Sequence, residues 1–408
     1  METKKAINDI SEMERLSPVW MKAAIVGGLW ASVEIIVGSF LHNLRIPFSG
    51  TFLTMQGIMI LTAFYRLWPE RGLIWRAGLI CALMKSVSPS SVILGPMSGI
   101  FFEAILLEAG IRLIGSNYFG FVLGGVLGLM STLIHKIISL LILYGLDIVK
   151  ILENLYYFIV KQIRIQNANP WTIVIIFFIV YVILGVISAT LGFYIGNKSK
   201  NTKRTKTLGF KLSENKQNEF FNLDPNKKYS LLFFFIHFCM IPLGLISLNF
   251  FNPYFAISLV FIYLIFCIFY YKNSLRRLKK PIFWIQLLII IIIASIFWNG
   301  INSKQDTFNI KGFIVGLEMC LRAVFVVIAF SSLSIELRNP LIKSFLTKKG
   351  LQPIYQSVSL AFSALPMMIA SMPRPLEIIK RPIFFFVRIN LQADEWLDVF
   401  KKQNINNL

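Results

Sequence analysis

Apolar residues run along this chain in blocks long enough to cross a hydrocarbon core, about 20 residues each, and polar or basic segments separate them. Ten such blocks predict ten spanning helices: roughly 20–41, 51–67, 72–86, 95–114, 118–145 and 171–196, then 230–249, 254–271, 281–299 and 312–333. Between the two sets lies a hydrophilic stretch, 197–228, and after the last block residues 334–408 turn amphipathic to polar. The pattern predicts an all-α, polytopic transmembrane protein with C-terminal cytoplasmic amphipathic helices. It divides into a six-span unit (1–196), a linker (197–228) and a four-span unit with its tail (229–408). A different period marks 146–170, where "LDIVKILENLYYFIVKQIRI" reads as an amphipathic helix lying on the outer membrane surface.

Composition agrees with this reading: 56% of residues are hydrophobic, 37 are Phe, and mean hydropathy is +0.68. The net charge of +21 changes the picture only through its placement. Lys and Arg gather in short segments between apolar blocks, the distribution of cytoplasmic loops and not of a nucleic-acid surface. Starting from the basic linker as cytoplasmic, "KNSLRRLKKP" (272–281), the tail after 333 and "RLWPERGLIWR" (66–76) all fall inside. The nearly neutral "NFFNPY" and "GINSKQDTFNIK" fall outside. Both termini are then expected in the cytoplasm of a cell whose inner (plasma) membrane holds the protein. The N-terminus has no short apolar core followed by small residues, so the first block is expected to stay as an uncleaved span.

Candidate chemistry is sparse. Cys81, Cys239, Cys267 and Cys320 stand singly within apolar blocks, and His42, His135 and His237 are far apart, so neither disulfides nor a metal site is expected. No catalytic constellation emerges; "GFYIGNKS" has the wrong spacing for a phosphate loop and closes a span. Charges inside the blocks are the informative residues, because each must pair or reach water. Glu108 and Arg112, four apart, suit a local pair, as do Glu318 and Arg322 in the last span. Glu34, Lys85 and Glu103, with Arg45 in the loop after the first span, are candidates for an outward-facing solute pocket, and His135 and Lys136 add to the charged set. The first span carries Ala23, Gly27 and Ala31 every four residues, with a second row at Ala24, Gly28 and Ser32. Such stripes admit a close helix neighbour, either within the same unit or from another membrane domain.

The segment from Gly312 to about Pro375 resembles the transmembrane coupling component of energy-coupling-factor transporters, the group related to the cobalt-transport membrane subunit. "GLEMCLRAVFVVIAFSS", "IELRNPLIKSFLTKKGLQPIY" and "LAFSALPMMIASMPRP" carry the resemblance. It implies that Arg374, in "PRP", takes the place of the arginine that enters a groove of a separate ABC ATPase, with Arg338 and Arg381 as further basic contacts. Proline flanks Arg374 on both sides where that family has small residues. The first six spans resemble the family's substrate-binding component, in which the small-residue face of the first span, here Ala23, Gly27 and Ala31, contacts the coupling component. The resemblance therefore implies a fused membrane subunit that captures a small micronutrient- or vitamin-like solute. Such a subunit is no enzyme and needs no cofactor of its own, because a partner ATPase uses the ATP. Its partners would be ABC ATPase subunits, the lipid bilayer and the solute, with no nucleic acid. The rival expectation is a non-transporting membrane scaffold or assembly protein that kept the fold.

Overall fold

The computed structural model describes residues 16–44, 48–85, 94–163, 169–202, 231–271, 278, 281–298, 309–336, 352–372 and 380–406. Fourteen helices cover nearly all of them, and no strand occurs among them. The first unit comprises α1 (Pro18–Asn43), α2 (Ser49–Leu67), α3 (Leu73–Lys85), α4 (Leu94–Ile114), α5 (Tyr118–Tyr144), α6 (Asp147–Ile163) and α7 (Pro170–Asn201). The second comprises α8 (Leu231–Phe250), α9 (Pro253–Tyr270), α10 (Pro281–Phe297) and α11 (Ile310–Glu336). Three C-terminal helices follow: α12 (Gln352–Ala370), α13 (Pro382–Leu391) and α14 (Ala393–Asn406).

Helix starts follow local chemistry. In α7 and α9 an Asn-Pro pair opens the helix: Asn169 Oδ1 accepts from the Trp171 N–H and Asn252 Oδ1 from the Tyr254 N–H, both at 3.0 Å. Proline then occupies the first turn, where its missing N–H leaves no bond unmade. The start of α3 is capped from outside its own chain segment. Glu108 of α4 accepts from the Gly72 N–H at 2.7 Å and the Trp75 N–H at 2.8 Å, while Arg112 Nε donates to it at 2.9 Å. The expected Glu108–Arg112 pair is therefore present and also holds two helices together.

Every one of the ten expected blocks is helical, but seven helices are long and apolar enough to cross a membrane: α1, α5, α7, α8, α9, α11 and α12. Of the other expected spans, α10 is apolar but shorter, and α3, with 13 residues, rises only about 20 Å against a core of about 30 Å. The lower hydropathy of α2 and α4 comes from Thr51, Thr54, Gln56 and Thr62 and from Glu103 and Glu108, all buried inside the bundle. The amphipathic α6 forms where expected; it buries Ile148 and Ile151 and is tied to α10 by Asn154 Nδ2 donating to the Phe297 carbonyl at 2.6 Å.

Burial makes α1 the centre of the assembly: 78% of its span is buried, against 22% for α5, α7 and α8. It packs on α2 and α3 within its own unit and on α12 and α14 from the C-terminus. The largest core accordingly combines α1–α5 and α7 with Val358, Ala361, Met368, Phe385, Trp396 and Phe400. Smaller cores hold α8–α11 and join them to the C-terminal end of α5 and to α6. The core thus crosses the boundary expected at the linker, since α12–α14 share their main core with the first unit.

Candidate functional site

The polar interior of the first unit is built on α2. Thr51 and Thr54 sit three residues apart, facing Thr132 and Lys136 at a four-residue spacing on α5. Thr54 Oγ1 lies 3.0 Å from Thr132 Oγ1; Lys136 Nζ donates to Thr51 Oγ1 at 2.6 Å and to the Tyr181 hydroxyl of α7 at 3.0 Å. Two carboxylates enter from neighbouring helices. Glu34 of α1, 5% exposed, pairs with Lys85 of α3, 9% exposed, at 3.0 Å. Glu103 of α4, 2% exposed, touches Thr54 and feels the charge of Glu34, yet its Oε1 has no hydrogen-bond partner. The Trp30 indole N–H and both polar atoms of the Gln56 side chain are likewise buried and unpartnered. At Gly57 the three elements close up: a Cβ there would stand 2.5 Å from Glu103 Oε1 and 2.8 Å from the Trp30 ring.

Three of the four expected pocket residues, Glu34, Lys85 and Glu103, thus converge between α1, α3 and α4, while Arg45 lies outside the described residues. Sequence reasoning did not single out Trp30, Thr54, Gln56 or Thr132. For Thr54 and Gln56 the signal was the run of hydroxyl and amide side chains in an otherwise apolar α2; Trp30 and Thr132 carried none. Among the described residues no three His, Cys, Asp or Glu side chains gather to hold a metal ion.

The two small-residue rows of α1 have separate neighbours. A Cβ on Gly27 would meet the Ala77 carbonyl oxygen at 2.7 Å and Ile80 at 2.9 Å, so that row lies against α3 of its own unit. On Gly28 it would meet Met368 Sδ at 2.9 Å and Ala361 Cβ at 3.6 Å, both on α12. Ala23 and Ala31 are fully buried with Gly27. The contact with the C-terminal region seen here is at Gly28, in the neighbouring row. One residue along a helix turns the side-chain direction by about 100°, enough to change partner. Toward the C-terminal end of α2, Asn390 of α13 donates to the Ala63 carbonyl at 3.2 Å, and Trp396 and Phe400 of α14 are buried in the same core. Arg381 is exposed just before α13; Arg338 and Arg374 lie outside the described residues.

In the second unit the expected Glu318–Arg322 pair does not form. Arg322 Nη2 donates to Asn249 Oδ1 at 2.8 Å, and the guanidinium packs on Gly145. Gly145 has φ +77° at the α5–α6 turn, where a side chain would be strained and would collide with the arginine. The arginine thus bridges the two units in place of an i,i+4 pair. A second polar chain, not anticipated from sequence, joins α8, α9 and α11. His237 Nδ1 lies 2.7 Å from the Tyr263 hydroxyl, His237 Nε2 2.8 Å from that of Tyr271, and Tyr271 donates to Glu336 Oε1 at 2.7 Å. Since Tyr271 spends its proton on the carboxylate, its oxygen accepts from Nε2–H, and Nδ1 accepts from Tyr263. The chain therefore runs in one direction and fixes a neutral, Nε2-protonated imidazole.

These features define an all-α membrane protein with a polar site enclosed by its first helices. No family model, curated protein or solved structure matches the chain.

Proposed function

We propose that the protein is the membrane subunit of an energy-coupling-factor type importer, with substrate-binding and coupling components fused in one chain. In this reading the chain is a multi-pass protein of the plasma membrane with both termini cytoplasmic, and α1–α7 capture a small micronutrient- or vitamin-like solute from outside. ATP binding and hydrolysis occur in separate ABC ATPase subunits, which engage the segments around Arg338, Arg374 and Arg381.

One observation carries the reading: α12 packs along the central helix α1, with Met368 and Ala361 against Gly28. A displacement of α12 by an ATPase is thereby delivered to the helix that also holds Glu34, the Lys85 partner, in the polar interior. Interdigitated packing transmits such a movement because close-packed helices have few voids to absorb it. The exposed Arg381 and the basic 337–351 segment suit acidic groove residues on a soluble partner.

Purification of the whole chain in mild detergent, with mass spectrometry of co-purifying proteins, tests the proposal. The expected result is a stoichiometric ABC ATPase with wild type and its loss with Arg374→Glu at unchanged protein yield. Recovery of the chain without an ATPase, or a complex indifferent to Arg374→Glu, would overturn it in favour of a scaffold.

A further inference from the structure

The charges in the first unit do not all cancel. Glu34 and Lys85 neutralise each other at 3.0 Å. A carboxyl, Glu103, and an amine, Lys136, remain, and neither forms an ion pair among the described residues. Among the described residues Lys136 is held by the hydroxyls of Thr51 and Tyr181, with the Phe48 ring 5.4 Å from its Nζ. Glu103 is held by Thr54 and leaves Oε1 unpartnered at 2% exposure. Thr51 and Thr54 are three residues apart on α2, about 4.5 Å of helix rise. The two charges therefore stand at successive levels of one hydroxyl-lined column. A buried carboxylate oxygen with no donor and a lysine with no counter-ion are each costly when left alone.

We propose that Glu103 and Lys136 are the two ends of a binding site for a small zwitterion, an amino-acid-like solute with its ammonium at Glu103 and its carboxylate at Lys136. The inference rests on the importer reading for its biological sense but stands on the geometry of the first unit. At the Glu103 end the ammonium satisfies the unpartnered Oε1. Such a ligand brings both missing counter-charges at once, and Thr54 and Thr132 offer hydroxyls to the atoms between them. A neutral solute would leave both charges as they are, and a simple cation or anion would satisfy one.

The test uses the full chain in lipid nanodiscs and isothermal titration with ω-amino acids from glycine to 6-aminohexanoate. Alkylamines and alkylcarboxylates of matching length serve as controls. One length is expected to bind best, more tightly than either control, and Glu103→Gln and Lys136→Gln are each expected to weaken it by about 30-fold or more. Lys136 is half-buried, so its variant keeps the test alive should Glu103→Gln fail to fold. Three results would overturn the assignment: no response from the series, an alkylamine or carboxylate binding as tightly as the zwitterion, or Lys136→Gln leaving the affinity unchanged. The readout needs no ATPase, so zwitterion binding by a chain that recovers no ATPase rejects the importer and keeps the site. Recovery of an ATPase with no binding rejects the site alone.

Discussion

Removing one member of the Glu34–Lys85 pair strands the other in the bundle interior, so the single variants Glu34→Gln and Lys85→Met are expected to lose about 3 kcal/mol each. The double variant Glu34→Leu/Lys85→Met, with neither charge left, should come back to within about 1 kcal/mol of wild type. Thermal or denaturant unfolding of the three variants in one detergent checks this, and equal losses for singles and double would refute the pairing. Both residues were legible in the sequence, because a charge in an apolar block must have a reason to be there. Their mutual contact was not, since Glu34 and Lys85 lie 51 residues apart. The same holds for Arg322: spacing offered Glu318 as its partner, while the positive φ of Gly145 opened a nearer place for the guanidinium.

Among the elements, periodicity found all ten apolar helices and the amphipathic α6, because each is governed by residues close in sequence. It overestimated how many are long and apolar enough to cross, for hydropathy cannot tell a helix facing lipid from one whose threonines and carboxylates face inward. Helix α12 was read the opposite way, as an amphipathic cytoplasmic element, although its buried stripe of Ser357, Val358, Leu360, Ala361, Ala364, Leu365 and Met368 matches α1. The His237–Tyr271–Glu336 chain was invisible beforehand, since one residue comes from each of α8, the end of α9 and the end of α11. Tyr271→Phe removes the middle of that chain and leaves His237 Nε2–H without its acceptor. The expected loss is about 1–3 kcal/mol of stability, with faster amide exchange where α8, α9 and α11 meet. Hydrogen–deuterium exchange by mass spectrometry reads it; unchanged exchange in all three helices would show that the chain does not tie them.

For the whole molecule, the decisive relation is that the C-terminal helices fold back onto the first unit. The sequence suggested two units joined by a hydrophilic linker. What composition could not show is that the main core would include residues 16–195 and 358–400 together. That closure is what turns two helical units into one mechanical object, and it rests on the α1–α12 contact. Gly28 and Ala361 make it testable directly, because a Cβ on Gly28 would stand 3.6 Å from that of Ala361, within disulfide reach. The measurement is oxidative cross-linking of Gly28→Cys/Ala361→Cys in a background carrying Cys239→Ser and a protease site in the 197–228 linker. The account predicts that, after cleavage, the two fragments migrate as one under non-reducing conditions and separate on reduction. Fragments that separate without reductant would contradict the docking of α12 on α1 and, with it, the coupling the proposed function requires.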